Sequence, residues 1–192
     1  MTIERPRKEG MSSVAEQPNA TAPIVIGLAG WSGSGKTSLA VKMIALLKAK
    51  GLRVATIKHA HHAFDVDTPG KDSFTHRAAG ADEVLVASSR RIAHMIEDPL
   101  PDEDDRRALQ PLLDRLGAVD AVLVEGFKNA PHAKLEIYRE SVGKPRLMGR
   151  VPNIIALATT DEALAAHASS DVPAFDLDHP ELWIDALLDL FR

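Results

Sequence analysis

Apolar positions acquire a regular spacing from residue 23 onward, and that spacing changes character repeatedly along the chain. Residues 24–28 are a short, partly β-branched apolar run, the pattern of a strand buried on both faces. From 36 to 50 the period becomes helical: Leu39, Met43, Leu46 and Leu47 share one face, and Gly51 marks the stop. Strand-like runs return at 54–57 and 83–86. Residues 91–97 alternate, with Ile92, His94 and Ile96 against Ala93 and Met95, which predicts an edge strand. A helix is predicted at 108–116 and a strong strand at 121–124. A second alternating strand follows at 134–138, with Leu135 and Ile137 on one face, and a buried strand at 154–158. The last helix opens on an acidic capping box from Asp178 to Glu181 and turns Trp183, Leu187, Leu190 and Phe191 inward. Strands alternating with helices predict an α/β fold: a mainly parallel sheet with helices on both faces. The two alternating segments predict a mixed edge, suited to sharing strands between subunits. Residues 1–22 are polar and aperiodic, with Pro6 and Pro18, and are predicted to be a disordered extension, with Met11 as an alternative start. Residues 23–192 form a single domain in this reading.

Composition narrows the partners. A chain of 192 residues that is 45% hydrophobic is ample for a core. Lys+Arg of 23 against Asp+Glu of 27 gives a net charge of -4, so neither nucleic acid nor an anionic membrane is an expected partner. The absence of cysteine excludes a disulfide framework, an iron–sulfur cluster and thiolate-bound zinc. The basic residues at the N-terminus are not followed by the apolar core of a signal peptide, and no run reaches the ~20 apolar residues that span a bilayer. The cytoplasm is the expected compartment.

Candidate chemistry begins in the turn between the first strand and the first helix. The string Gly30, Trp31, Ser32, Gly33, Ser34, Gly35, Lys36, Thr37 matches the phosphate-binding pattern G-x-x-x-x-G-K-[ST], and Ser38 continues it into the helix. Glycines let backbone N–H groups converge on phosphate oxygens, and the helix N-terminus adds a favourable dipole. Lys36 is expected to neutralise the β- and γ-phosphates and the Thr37 hydroxyl to bind Mg²⁺. The bland alternative, a glycine-rich turn that binds nothing, has to explain why strand and helix both stand in place. Trp31 either shields the phosphates or packs on the sheet edge.

Such a site needs a carboxylate at the end of a neighbouring strand to hold the metal through water. Glu125, at the end of the strong strand 121–124 and followed by Gly126, is in that position. The segment 58–73, KHAHHAFDVDTPGKDS, is too rich in His, Asp and Lys for a plain turn. Asp65 and Asp67 are candidates for Mg²⁺ or the attacking water, while His59, His61 and His62 have no convincing metal-ligand spacing. Catalysis is thus assigned to Lys36, Asp67 and Glu125, and the metal to Thr37, Asp67 and Glu125.

Taken in order, GWSGSGKT, IKHAHHAFDVDTPGKDS, RAAGA (77–81) and LVEGFK (123–128) resemble the MobB family, the bacterial molybdopterin-guanine dinucleotide biosynthesis proteins. The likeness runs from residue 24 to about 157, and its middle block is the specific part. It implies a P-loop protein that binds GTP with Mg²⁺, hydrolyses it weakly and forms a homodimer. The implied partner is the molybdopterin guanylyltransferase (MobA-like) that joins GMP to molybdopterin, with molybdopterin itself a further candidate ligand. The guanine signature Asn/Thr-Lys-x-Asp is absent. Asp161, after strand 154–158, either reads guanine or caps a helix at 162–168. Arg77, Arg90, Arg91 and Arg139 are expected in surface ion pairs rather than as transition-state groups, and the acidic stretch 97–105 as a solvated loop. Two other classes compete with the adaptor. A small-molecule kinase requires an arginine-bearing lid; a nickel-delivery GTPase uses cysteine and histidine ligands, so the lack of cysteine tells against it while His59, His61 and His62 keep it open.

Overall fold

The computed structural model describes residues 22–60, 65–97, 105–160, 164 and 171–192. The first apolar run becomes β1 (Ile24–Ala29), which pairs in parallel with β5 (Ala121–Glu125) on one side and β6 (Lys134–Ile137) on the other. Beyond β5 lies β2 (Val54–Lys58), and beyond β6 lie β7 (Ile154–Thr159) and β8 (Ala174–Asp176). The sheet order is therefore β2-β5-β1-β6-β7-β8, with every pairing parallel. Parallel neighbours need crossover connections, which cover the sheet on both faces. On one face α1 (Lys36–Ala49) and α4 (Ile184–Phe191) bury Leu39, Met43, Leu47, Ile184 and Leu187 against Ile26 and Leu28. On the other, Leu109 of α3 (Asp105–Asp114) joins Ile57, Val122, Val124 and Phe127. A short helix α2 (Asp72–Ala78) precedes β3 (Glu83–Ala87) and β4 (Ile92–Ile96), which form their own antiparallel two-stranded sheet. No helix among the described residues is long and apolar enough to cross a membrane.

Several local expectations are corrected. The alternating segment at 134–138 is not an edge: β6 is an interior strand, and all four of its residues are buried. Its alternation is apolar against buried charge, since Lys134 and Glu136 are each 1% exposed. Lys134 Nζ donates to the carbonyls of Ala130 (2.6 Å), His132 (2.9 Å) and Pro152 (3.1 Å). Glu136 accepts the N–H groups of Leu147 (2.6 Å) and Met148 (3.1 Å) and faces Arg146 Nε at 3.2 Å. Segment 91–97 is a strand, but its partner is β3 in the separate hairpin. The capping box of the last helix does not form. Pro180–Leu182 is a 3₁₀ turn, α4 starts without a side-chain cap, and the Asp178 carboxylate pairs with Arg139 instead. Leu190 is 39% exposed, and Ile184 and Leu188 take the buried places. Residues 1–21, His61, His62, Asp161 and nearly all of the helix expected at 162–168 lie outside the described residues, as do 98–104 of the acidic stretch.

Candidate functional site

The turn after β1 is built by close approach. A Cβ placed on Gly30 would lie 2.5 Å from Ser34 Oγ and 2.6 Å from the Ile137 carbonyl, so only glycine fits where the loop leaves the sheet. Ser34 N–H donates to Trp31 O at 3.2 Å, and the helix begins at Lys36 after left-handed Gly35. Lys36 Nζ folds back over the loop and donates to the carbonyls of Gly30 (2.9 Å) and Trp31 (2.8 Å). Trp31 is anchored outside the loop. Its Nε1 donates to Pro145 O at 2.7 Å, and the Lys128 ammonium sits 5.3 Å from the ring centre. Ser34 is buried beneath the loop, and its Oγ has no hydrogen-bond partner among the described residues.

A cleft of about 640 Å³ opens above this loop. Gly30, Ser32, Gly33, Gly35, Lys36, Thr37 and Ser38 line one wall. Lys58 and His59 from the end of β2, and Glu125, Gly126 and Lys128 from the end of β5, line the other. Glu125 is mostly buried, with its carboxylate 3.9 Å from Lys58 Nζ. Gly126 holds φ 93°, and a Cβ there would come within 2.6 Å of His59 Cβ, so the crowding expected from the sequence is present. His59 in turn stacks on Phe127 at 4.8 Å between ring centres. Three ammonium groups, Lys36, Lys58 and Lys128, thus meet one carboxylate, Glu125, in the lining. Burial pulls the Lys36 pKa below the ordinary lysine value; Glu125 opposes the shift, and Lys128 and Lys58 add to it. A cleft of this kind favours a polyanion. Lys58 and Lys128 lie in the KHAHHAFDVDTPGKDS and LVEGFK segments, whose composition alone assigns them no role. Lys58 is the last residue of β2 and Lys128 follows the end of β5, the two strands on one side of β1.

Asp65 and Asp67 are held elsewhere. Asp67 accepts from Ser73 Oγ (2.9 Å) and Thr68 N–H (2.9 Å) and lies 3.3 Å from Arg77 Nε. Arg77 also pairs with Asp65 at 2.7 Å and Glu97 at 2.9 Å. Arg77 lowers both aspartate pKa values; at Asp65 the Asp67 N–H contributes more, and at Asp67 the Ser73 and Thr68 hydrogen bonds do, against an opposing burial effect. Arg77 is therefore the clamp of the DVD turn, a fuller ion-pair role than the sequence suggested. Thr37 and Glu125 share the cleft, whereas Asp67 does not line it. Among the described residues no group of three or more His, Asp or Glu is placed to hold a metal by side chains alone. The pair Thr37 and Glu125 fits Mg²⁺, which takes one or two protein ligands and completes its shell with phosphates and water.

Comparison with known proteins gives one consistent answer. The family model for "Molybdopterin guanine dinucleotide synthesis protein B" (MobB) matches residues 25–160. A molybdopterin-guanine dinucleotide biosynthesis adapter protein of Escherichia coli (strain K12) is 43% identical over 136 residues, covering 70% of this chain and 77% of that protein. Its namesake from Haemophilus influenzae is 45% identical over 121 residues, 63% of this chain and 66% of that protein. The crystal structure of Bacillus subtilis MobB superposes with a TM-score of 0.65 at 26% identity, covering 88% of this chain and 98% of that one. With the phosphate loop, the DVD turn and the EGFK strand end all inside or bordering the matched region, the chain belongs to the MobB family.

Proposed function

We propose that the protein is a nucleotide-dependent adaptor in molybdopterin guanine dinucleotide synthesis, binding GTP in this cleft and assisting the guanylyltransferase that attaches GMP to molybdopterin. The observation that carries the nucleotide part is the convergence of Lys36, Lys58 and Lys128 on a P-loop cleft with a single carboxylate, Glu125. The adaptor part is supported by the relatives named as adapter proteins of this synthesis. In this reading Lys36 leaves the carbonyls of Gly30 and Trp31 to meet the β- and γ-phosphates. Thr37 Oγ1 and, through water, Glu125 hold Mg²⁺, whose chemistry is to neutralise charge on the phosphates. Asp67, held by Arg77, Ser73 and Thr68 away from the cleft lining, would join them only in a state in which the DVD turn has moved.

Hydrolysis by the isolated protein is slow in this proposal. No arginine is among the described residues that line the cleft, and a transition-state arginine is worth roughly 10³–10⁵ in rate. The test is a guanylyltransferase reaction run at limiting GTP. Added wild-type protein raises the yield of guanine dinucleotide cofactor. Lys36→Ala, folded by circular dichroism, binds little GTP and does not raise it. No effect of the wild-type protein on yield, or rapid phosphorylation of a small molecule by the protein alone, would sink the adaptor reading.

A further inference from the structure

A triphosphate held by a phosphate loop has a direction. Glu125 and Lys58 stand at the ends of β5 and β2, on one side of β1, and that is the side of the metal and the γ-phosphate. The nucleoside then leaves toward the other neighbour of β1, which is β6. The start of the loop already abuts β6, because Gly30 leaves room for the Ile137 carbonyl. Two residues further on, Arg139 Nε lies 3.5 Å from where a Gly35 Cβ would be. Its guanidinium donates to Asp178 Oδ1 at 2.9 Å.

Asp178 is fixed at this spot from three directions. Its N–H donates to Asp176 Oδ1 (2.9 Å), its carbonyl accepts from Lys42 Nζ of α1 (2.9 Å), and its carboxylate takes Arg139. The end of β6, the turn after β8 and α1 therefore meet at one ion pair. Both partners remain open to solvent, at 32% for the Arg139 side chain and 54% for Asp178, and Asp178 Oδ2 has no partner among the described residues. A carboxylate accepts two hydrogen bonds from the N1–H and 2-amino groups of guanine, whereas it meets the N1 lone pair of adenine with repulsion.

We propose that Asp178 reads the base of the bound nucleotide and selects guanine, with Arg139 as the positioning residue that holds its carboxylate. This rests on the reading of the cleft as a triphosphate site. The test is titration of the full chain with GTP, XTP, ATP and inorganic tripolyphosphate. Asp178→Asn turns an acceptor into a donor that suits the 2-oxo group of xanthine. It lowers GTP affinity about tenfold or more, raises XTP affinity and leaves tripolyphosphate binding unchanged. Arg139→Ala narrows the GTP/ATP ratio without the gain for XTP, and it serves as the deciding variant if Asp178→Asn does not fold. An equal loss of GTP and ATP, an unchanged ratio in a folded Arg139→Ala, or the xanthine switch appearing in Asp161→Asn instead would each overturn the assignment. Failure of the wild-type protein to bind tripolyphosphate removes the phosphate reading and this proposal with it.

Discussion

His132 sits against the buried ammonium of Lys134, and neither ring nitrogen has a hydrogen-bond partner among the described residues. Burial, with Lys134 adding, lowers its pKa from 6.5 to about 4. An unfolded chain therefore takes up a proton below pH 6.5 that the folded one refuses until about 4, so stability is lost as pH falls through that window. Lowering the pH from 7 to 5 should cost about 2 kcal/mol in urea unfolding, since each unit is worth about 1.4 kcal/mol. His132→Phe should remove most of that slope. The aspartates with lowered pKa values, Asp65, Asp67 and Asp120, stay ionised in the same range and do not blur the result. Lys134 acts at the alkaline end: burial lowers it to about 8, so stability is lost as pH falls from 10.5 toward that value. That Lys36, Thr37 and Glu125 meet in one cleft is legible in the sequence, the first two from a motif and Glu125 from its place at a strand end. The approach of Lys58, Lys128 and Arg139 is not, because what brings them to the phosphate loop is the strand order β2-β5-β1-β6.

One carboxylate ties strand β6 to the chain that follows Arg139. Glu136 gathers two backbone N–H groups and Arg146, the Arg146 guanidinium lies 5.2 Å from the Tyr138 ring centre, and Pro145 in the same segment accepts from Trp31 of the phosphate loop. Glu136→Ala leaves those groups without their acceptor and should cost roughly 3 kcal/mol, as breaking a buried charged contact does. The expected record is a lower melting temperature, with the amides of Leu147 and Met148 exchanging hydrogen at least about tenfold faster than in the wild type. Unchanged exchange at both amides would show that the segment is held by other means. Period-2 alternation announced this strand correctly but misplaced it. Alternation separates the two faces of a strand, and it says nothing of whether the polar face meets water or a nest of backbone groups. The short elements were missed for a different reason. α2 has seven residues and β8 three, too few for a period to register.

At the scale of the whole molecule, the α/β class and parallel sheet were legible because each strand run is followed by helix-period or turn chemistry. The hairpin of β3 and β4 is the part that stands outside that sheet. Val84 is buried, at 8% exposure, so one face of the hairpin is supported from within. Leu85 and Ile92 fall on the opposite face, because Ala87, two residues from Leu85, pairs with Ile92. They are 61% and 68% exposed. A two-stranded sheet is marginal alone, and its outer edges offer unpaired N–H and C=O groups. A second copy of the chain supplies both an apolar face and a strand edge by the same symmetry operation, which is the usual route to a two-fold dimer. We therefore expect sedimentation of the wild-type protein at micromolar concentration to give a dimer. The double substitution Leu85→Lys and Ile92→Lys should give a monomer, because dimerisation would then bury four lysines, two from each copy. The cleft lies at the ends of β1, β2 and β5, so this monomer should still bind GTP. A wild-type monomer would end the dimer reading. A dimer that survives both lysines would move the interface to another face, and loss of GTP binding in the monomer would mean that the partner copy completes the site.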